Sequence, residues 1–281
     1  MFRIEDKKML GSTTVQLKIS APSIAKKVKP GQFIMLKIDE VGERIPLTVA
    51  DSDIEKGTID IIVQTIGYTT MQLGSMEVGD YILNVIGPLG NPTELDGYKN
   101  VIVIGGGVGC AIAYPQTKYL HNIGVNVTVI AGFRSKELMI LEDELREIST
   151  NLYVTTDDGS YGFKGFVTQK LEELIEEGNN YDLVVAIGPV IMMKNVAAVT
   201  KKYNIKTIVS LNPIMIDGTG MCGGCRVIVG NKMKFACVDG PDFDAHEVDF
   251  DILTRRNSSY MDQEKVDFEH ACRIFGDNVN G

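Results

Sequence analysis

The chain has 281 residues, 44% hydrophobic and 23% charged, which describes a globular protein long enough to build two cores. Its net charge is −9 and no block of Lys or Arg stands out, so nucleic-acid binding has no electrostatic footprint. The longest apolar run, Val101 to Ala113, is interrupted by four glycines, which excludes a spanning helix and with it a membrane partner. The N-terminal stretch MFRIEDKKML mixes charges of both signs and has no apolar core of a secretory signal. A reducing, cytoplasmic location is therefore expected, in which the cysteines need not pair as disulfides.

Residues 1–97 read as short alternating, β-branched segments: Thr14-Val-Gln-Leu-Lys-Ile, Gln32-Phe-Ile-Met-Leu-Lys-Ile, Ile45-Pro-Leu-Thr-Val-Ala and Thr58-Ile-Asp-Ile-Ile-Val-Gln. Turn signals at Pro30-Gly31, Val41-Gly42, Lys56-Gly57 and Val78-Gly79-Asp80 separate them, which predicts an antiparallel β-barrel. One short helix, near Thr69 to Ser75, is expected to interrupt it. Two stretches here carry chemistry. In Arg44-Ile45-Pro46-Leu47-Thr48 a guanidinium can pair with a phosphate and a hydroxyl can bond the edge of a flavin ring. In Gly67-Tyr68-Thr69-Thr70 a helix start offers N–H groups to a pyrophosphate. Taken singly, both also read as ordinary strand and helix-cap sequence.

The texture changes after the linker Asn91-Pro-Thr-Glu-Leu-Asp-Gly97. Over 98–212, strand-like runs at Val101–Ile104, Val125–Ala131, Leu152–Thr155, Leu183–Ile187 and Thr207–Ser210 alternate with helical segments. Those segments run to Ile123 and over Leu138–Ile148, Phe166–Glu177 and Ile191–Tyr203, an α/β pattern that predicts a parallel sheet covered on both faces. The first strand enters Gly105-Gly106-Gly107-Val108-Gly109, a glycine turn opening a helix, where a dinucleotide pyrophosphate can sit. Cys110 beside it reads as a small packing residue. The second strand ends Phe133-Arg134-Ser135-Lys136 without the acid that commonly selects NAD; a 2′-phosphate site and a solvated strand end both fit these residues. Two further loops fall at the same predicted rim, Thr156-Asp157-Asp158-Gly159, and Gly188-Pro189 followed by Met192, with Asp158, Gly188, Pro189 and Met192 as the candidate cofactor contacts.

Residues 213–250 carry the most specific signal. Asp217, Cys222, Cys225 and Cys237 are spaced D-x4-C-x2-C-x11-C, the plant-type [2Fe–2S] spacing with Asp in the first position. Three of the five cysteines fall within sixteen residues, which an ordinary glycine-rich turn does not explain. Zinc held by three Cys and one Asp is a chemically permissible alternative. Residues 251–281 are acidic and weakly amphipathic, with Phe268, Cys272 and Phe275 near one helical face, and are expected to form a helical tail that contacts a partner.

These pieces in this order resemble the ferredoxin reductase superfamily, in the branch containing the electron-transfer subunit of bacterial dihydroorotate dehydrogenase. Arg44-x-Pro46-Leu47-Thr48 resembles its flavin-binding Arg-x-x-Ser/Thr element. Gly67-x-Thr69-Thr70-x-x-Leu73 resembles its G-x-G-T-x-x-L pyrophosphate helix, with Thr69 replacing the second glycine. Gly87-Pro88-Leu89-Gly90 and Gly188-Pro189-x-x-Met192 are further marks, and the resemblance spans the whole chain. With Asp217 in place of a first cysteine, the cluster segment is similar to the small subunit of NADH-dependent reduced ferredoxin:NADP oxidoreductases. The resemblance implies FAD on the barrel, NAD(H) on the α/β domain and a [2Fe–2S] cluster on Asp217, Cys222, Cys225 and Cys237. It further implies a large partner subunit with its own flavin, [4Fe–4S] clusters and an NADP(H) site, through which electrons reach ferredoxin. On this reading the chain exchanges hydride between NAD(H) and FAD and passes single electrons onward, with no general acid or base in the hydride step. Delivery to a dihydroorotate-oxidising subunit is the alternative partner. A non-enzymatic nucleotide-binding module with structural zinc is the alternative class.

Overall fold

The computed structural model describes residues 1–279. Strand β1 (Phe2–Gly11) turns directly into β2 (Thr14–Ser20); after the short helix α1 (Pro22–Ala25) come β3 (Phe33–Lys37), β4 (Ile45–Asp53) and β5 (Thr58–Gln64). Helix α2 (Tyr68–Ser75) precedes β6 (Tyr81–Ile82) and β7 (Asn84–Leu89). The strands form a seven-stranded, nearly closed antiparallel barrel in the order β6-β1-β2-β5-β4-β3-β7. Period-two alternation sets its register: Val15, Leu17 and Ile19 on β2 lie opposite Val63, Ile61 and Ile59 on β5, and all six side chains point into the core. Each fully buried Ile or Leu there contributes roughly 2 kcal/mol of transfer free energy. Strand β3 departs from this pattern because both its faces are covered. Ile34 and Leu36 join the barrel core, while Phe33 and Met35 join a separate cluster with Cys225 and Cys237.

The second half alternates as expected. Strand β8 (Asn100–Gly106) leads through α3 (Gly109–Asn122) to β9 (Asn126–Phe133), and α4 (Glu142–Glu147) leads to β10 (Asn151–Thr156). Then follow β11 (Phe163–Lys164), α5 (Val167–Glu176), β12 (Leu183–Ile187), α6 (Val190–Lys202) and β13 (Thr207–Ser210). On β8, Val101 and Val103 pack into the core beneath α3 and α4, whereas Ile102 and Ile104 pack into the core beneath α5 and α6.

The helix expected over Leu138–Ile148 is shorter and starts later. Ile140 and Leu141 sink into the core, Leu141 takes a left-handed conformation with φ 58°, and α4 begins only at Glu142. Three acids then fill its first turn, where the helix dipole favours them.

Beyond β13, β14 (Arg226–Val229) and β15 (Lys232–Phe235) form a hairpin, followed by α7 (Ala236–Asp239), β16 (Asp242–Asp244), α8 (Phe250–Asn257) and α9 (Met261–Val279). Strand β16 adds antiparallel to the free edge of β13, so the sheet is mixed, with order β11-β10-β9-β8-β12-β13-β16. Phe250 and Leu253 of α8 are buried in the core beneath α6, and α9 packs against α2. Among the described residues no helix is long and apolar enough to cross a membrane.

Candidate functional site

The order of the mixed sheet reverses between β8 and β12, the point at which open α/β sheets bind ligands beyond their strand C-termini. A cavity of about 880 Å³ lies there, walled on one side by Gly106 to Gly109, Gly188, Pro189 and Met192, and on the other by the β1–β2 turn, Gln64 and Ile66 of the barrel half. The glycines differ in what they permit. A Cβ on Gly106 would stand 2.5 Å from Met192 Sδ and 3.1 Å from Pro189 Cδ, and one on Gly188 would stand 2.8 Å from Met192 Cε. These four residues therefore close a seam between the β8 and β12 loops. A Cβ on Gly109 would meet the Ile187 carbonyl oxygen at 2.3 Å, so Gly109 lets α3 approach β12. Gly105 packs in the same way on Cys110, which is itself buried, its thiol pushed up to about 12 by desolvation, and is a packing residue. Gly107, at φ 57°, has open space where a Cβ would be. A bare backbone facing an open cleft at the start of a 14-residue helix fits a pyrophosphate.

At the far end of the cavity Arg134, Glu137 and Asp157 line the wall. Asp158 points elsewhere: it accepts the Ser160 hydroxyl at 2.6 Å and the Ser160 N–H at 2.9 Å, and these bonds hold its carboxyl below the usual range. Its neighbour Asp157, whose N–H donates to Phe133 O at 3.0 Å, places a carboxylate on this wall from the third strand, beside Glu137 from beyond the second. The sequence reading selects Asp158 from this pair, and the structure lines the cavity with Asp157 instead.

On the barrel, Leu47 and Thr48 lie opposite Ile34 and Phe33, and Pro46 lies opposite Met35; all three are partly exposed, and Arg44 is exposed. Thr70 Oγ1 accepts the Gly67 N–H at 2.9 Å and caps α2. Thr69, standing where a glycine was expected, is buried and donates to Glu43 Oε1 at 2.7 Å. That bond ties the start of α2 to the residue before Arg44. The outer side of Gly67 is open, since a Cβ there would meet nothing nearer than Thr70 Oγ1 at 3.7 Å. An exposed guanidinium, an open glycine at a helix start and a half-exposed threonine on one side of the barrel fit the phosphate and ring edge of a flavin nucleotide. From α9, His270 and Phe275 lie against Tyr68 at ring distances of 6.1 and 5.6 Å.

The four candidate metal donors are only partly assembled. Cys225 and Cys237 are buried with their sulfurs 3.1 Å apart, in an apolar shell of Phe33, Met35, Met215 and Ala236. Burial, followed by the neighbouring Cys225 thiol, pushes Cys237 up. Cys222 is exposed and its sulfur accepts the Gly224 N–H at 3.4 Å. Asp217 turns onto Thr219, accepting its N–H at 3.1 Å and its hydroxyl, and is held below the usual carboxylate range by these bonds and by the charge of Arg44. Among the described residues no group of three or more His, Cys, Asp or Glu is drawn together for a metal ion. Two adjacent soft donors in an apolar shell, with a third on a glycine-rich loop beside them, nevertheless fit an iron–sulfur centre by their chemistry. The loop sits on the barrel, because a Cβ on Gly218 would stand 2.5 Å from Met35 Cγ and 3.2 Å from Leu89 Cδ1.

Barrel, dinucleotide crevice and thiol pair together define an oxidoreductase of the ferredoxin reductase type. Residues 1–93 match the oxidoreductase FAD-binding domain, and residues 212–249 match the iron–sulfur cluster binding domain of dihydroorotate dehydrogenase B. An uncharacterized protein in the adh 3′ region of Clostridium beijerinckii is 51% identical, covering 94% of this chain and 92% of its own. The dihydroorotate dehydrogenase B (NAD(+)) electron transfer subunit homolog of Thermotoga maritima is 48% identical over 92% of both chains. Among solved structures, a chain of the NADH-dependent reduced ferredoxin-NADP oxidoreductase, described for flavin-based electron bifurcation, superposes with a TM-score of 0.91 at 46% identity. That match covers 96% of this chain and 97% of the other. The chain belongs to the family of FAD- and iron–sulfur-containing electron-transfer subunits typified by that of dihydroorotate dehydrogenase B.

Proposed function

We propose that this chain is the NAD(H)-linked small subunit of an electron-bifurcating NADH:ferredoxin:NADP oxidoreductase. The observation that carries the reading is the near full-length match to that enzyme's structure at 46% identity. The aspartate at the first position of D-x4-C-x2-C-x11-C agrees with it.

When bound, the flavin couples two-electron exchange with nicotinamide to one-electron exchange with the cluster. The protein's own residues bind and orient. Gly107 and the start of α3 hold the dinucleotide pyrophosphate, Arg134 and Asp157 meet its adenosine ribose, and Gly106, Gly188, Pro189 and Met192 shape the wall of the crevice. Arg44 pairs with a flavin phosphate, Thr48 meets the ring edge through its hydroxyl, and Gly67, Thr69 and Thr70 form the second phosphate end. Asp217, Cys222, Cys225 and Cys237 hold a [2Fe–2S] cluster, for which Asp217 must turn from Thr219 and Cys222 must swing inward. The large subunit carries its own flavin and [4Fe–4S] clusters, binds NADP(H) and exchanges electrons with ferredoxin, and α9 contributes to its docking surface. Nucleic acid and membrane have no part.

A second reading, delivery to a dihydroorotate-oxidising subunit, is favoured by the match of residues 212–249 to that enzyme's cluster domain. Co-purification separates the two, because the partners differ in clusters and size. The zinc-knuckle reading has lost its support, since the matched domains bind FAD and an iron–sulfur cluster. The test is an anaerobic absorbance and EPR spectrum of the purified chain, before and after NADH and then dithionite, with iron, zinc and flavin quantified. Flavin, two irons and an S = 1/2 signal on reduction are expected by the [2Fe–2S] assignment. A colourless, zinc-loaded protein refutes it.

A further inference from the structure

Helix α8 carries two arginines in its last turn, and one of them reaches back to the cysteine loop. Phe250 and Leu253 fix the helix in the core beneath α6, and Asp249 Oδ1 caps its start by accepting the Ile252 N–H at 2.9 Å. At its other end the Asn257 side-chain amide donates to Asn212 O at 3.1 Å. From that mount Arg256 Nη2 donates to the Gly224 carbonyl oxygen at 3.0 Å, whereas its neighbour Arg255 is exposed. Arg256 is half-buried, its Nε is sealed from solvent without a hydrogen-bond partner, and among the described residues no carboxylate forms an ion pair with it. A partly sealed cation without a counter-ion costs stability, so its place beside the cysteines calls for an anionic group there.

The loop Cys222-Gly223-Gly224-Cys225 has two inner carbonyls, and an arginine takes each. Arg226 Nη1 donates to Gly223 O at 3.0 Å, as Arg256 does to Gly224 O. Both peptides are trans, so a carbonyl drawn toward a guanidinium turns the following N–H the opposite way. The first of these N–H groups, that of Gly224, is directed at Cys222 Sγ at 3.4 Å. The second belongs to Cys225, whose sulfur forms the buried pair with Cys237. Arg226 is exposed and its charge is screened by solvent, which leaves Arg256 as the stronger of the two cations at the loop.

A centre held by thiolates and a carboxylate is anionic, and one-electron reduction adds a further negative charge to it. Net charge nearby and hydrogen bonds to the sulfurs are the levers by which a protein sets the potential of such a centre. We propose that Arg256 is a positioning residue that raises the reduction potential of the iron–sulfur cluster. It does so through its unpaired charge, which favours the reduced form, and through its hold on the Gly224 carbonyl, which turns the Cys225 N–H away from the guanidinium. The cluster thereby becomes a readier acceptor of single electrons from the flavin, and no protein bond is made or broken in the exchange.

The inference rests on the [2Fe–2S] reading, and one experiment separates the two. The purified holoprotein must first show two irons and an S = 1/2 signal on reduction; failure at that point counts against the cluster reading itself. The midpoint potential of that signal is then read by mediated EPR titration. Arg256→Gln keeps a hydrogen-bond donor but removes the charge. It should make reduction about tenfold less favourable, a downward shift of about 59 mV for one electron, with iron and flavin content unchanged. Arg256→Lys should restore most of the difference, and Arg255→Gln, which removes an exposed charge from the same turn, should leave the potential where it was. An Arg256→Gln protein with the wild-type potential overturns the proposal, as does an equal shift in Arg255→Gln, which would reduce the effect to net charge. If Arg256→Gln assembles no cluster, Arg256→His decides. Its potential should approach wild type while the imidazole is protonated, at about pH 5.5, and fall below it by about pH 8. A gap from wild type that stays constant over that range overturns the proposal equally.

Discussion

Replacing Asp242 with Asn should make the protein more stable at neutral pH. Asp242 as a residue is half-buried, but its Oδ1 is sealed, and its carboxyl titrates near 6 in the folded chain against 3.8 as the ordinary value. The unfolded chain releases this proton around 3.8, whereas the folded chain holds it until about 6. Between those values the folded state binds more protons, so its stability falls as pH rises and stays reduced above the folded value. At roughly 1.4 kcal/mol per pKa unit the full penalty is about 3 kcal/mol, of which about half has developed by pH 5 and nearly all by pH 7. Asn keeps a hydrogen-bonding group in the same space and carries no such penalty. Calorimetric Tm values of the two proteins should therefore diverge from pH 5 to pH 8, reaching a gap of roughly 5–10 °C in favour of the variant. Parallel Tm curves over that range would show that Asp242 is not ionised against its environment and refute the reasoning.

Gly107→Ala meets no atom but takes on a left-handed φ of 57°, so it should cost about 1 kcal/mol of stability while raising KM for NADH tenfold or more by filling the cleft; an unchanged KM would remove Gly107 from the pyrophosphate site. Gly109→Ala, whose Cβ would lie 2.3 Å from a carbonyl oxygen, should instead lower Tm by several degrees, in line with overpacking costs of about 1–3 kcal/mol. Asp157→Ser should raise the NADPH:NADH ratio of kcat/KM by about tenfold or more, because it removes a carboxylate from the cavity wall that also holds Arg134; an unmoved ratio places selectivity elsewhere. Asp217→Cys should retain a cluster with an altered EPR spectrum, and Asp217→Ala should weaken it; identical spectra in both would take Asp217 out of the site.

Much of this was readable from residue order, and the failures have identifiable causes. The barrel strands stood out because alternation in Thr14–Ser20 and Thr58–Gln64 matches a one-faced core. The β14–β15 hairpin was also legible, since Gly230 and Asn231 both take positive φ in a two-residue turn between alternating runs; the cluster signal over the same residues masked it. Strand β16 was not legible: Asp242-Phe-Asp244 has no strand pattern, and it pairs only because β13 leaves an edge open. The helix expected over Leu138–Ile148 starts late because Leu138-Met-Ile-Leu141 obeys helical spacing, yet burial of Ile140 and Leu141 outweighs that local preference. In the site, spacing identified Cys225 and Cys237, which come together across the hairpin. The relative roles of Asp157 and Asp158 depend on one hydroxyl, Ser160, and no spacing rule reads that.

Strand β3 explains why the flavin motif and the cysteine segment, far apart in sequence, can work as one site. Its alternate residues serve different cores: Ile34 and Leu36 close the barrel, while Phe33 and Met35 wall the thiol pair. The same two outward residues lie opposite Thr48 and Pro46 on β4. Neighbouring strands stand about 4.8 Å apart, so one strand width separates the β4 motif from the residues enclosing Cys225 and Cys237. The charge of Arg44 felt at Asp217, and the contact of Gly218 with Met35, set the cluster loop on that same side. A flavin held on β4, as proposed, would lie one strand away from the cysteines, with Phe33 and Met35 packed beside the thiol pair. Met35→Ala would open that shell without touching a donor. It should raise oxygen sensitivity of the cluster and shift its potential while leaving NADH-dependent flavin bleaching intact, whereas simultaneous loss of flavin would mean that β3 serves the barrel alone.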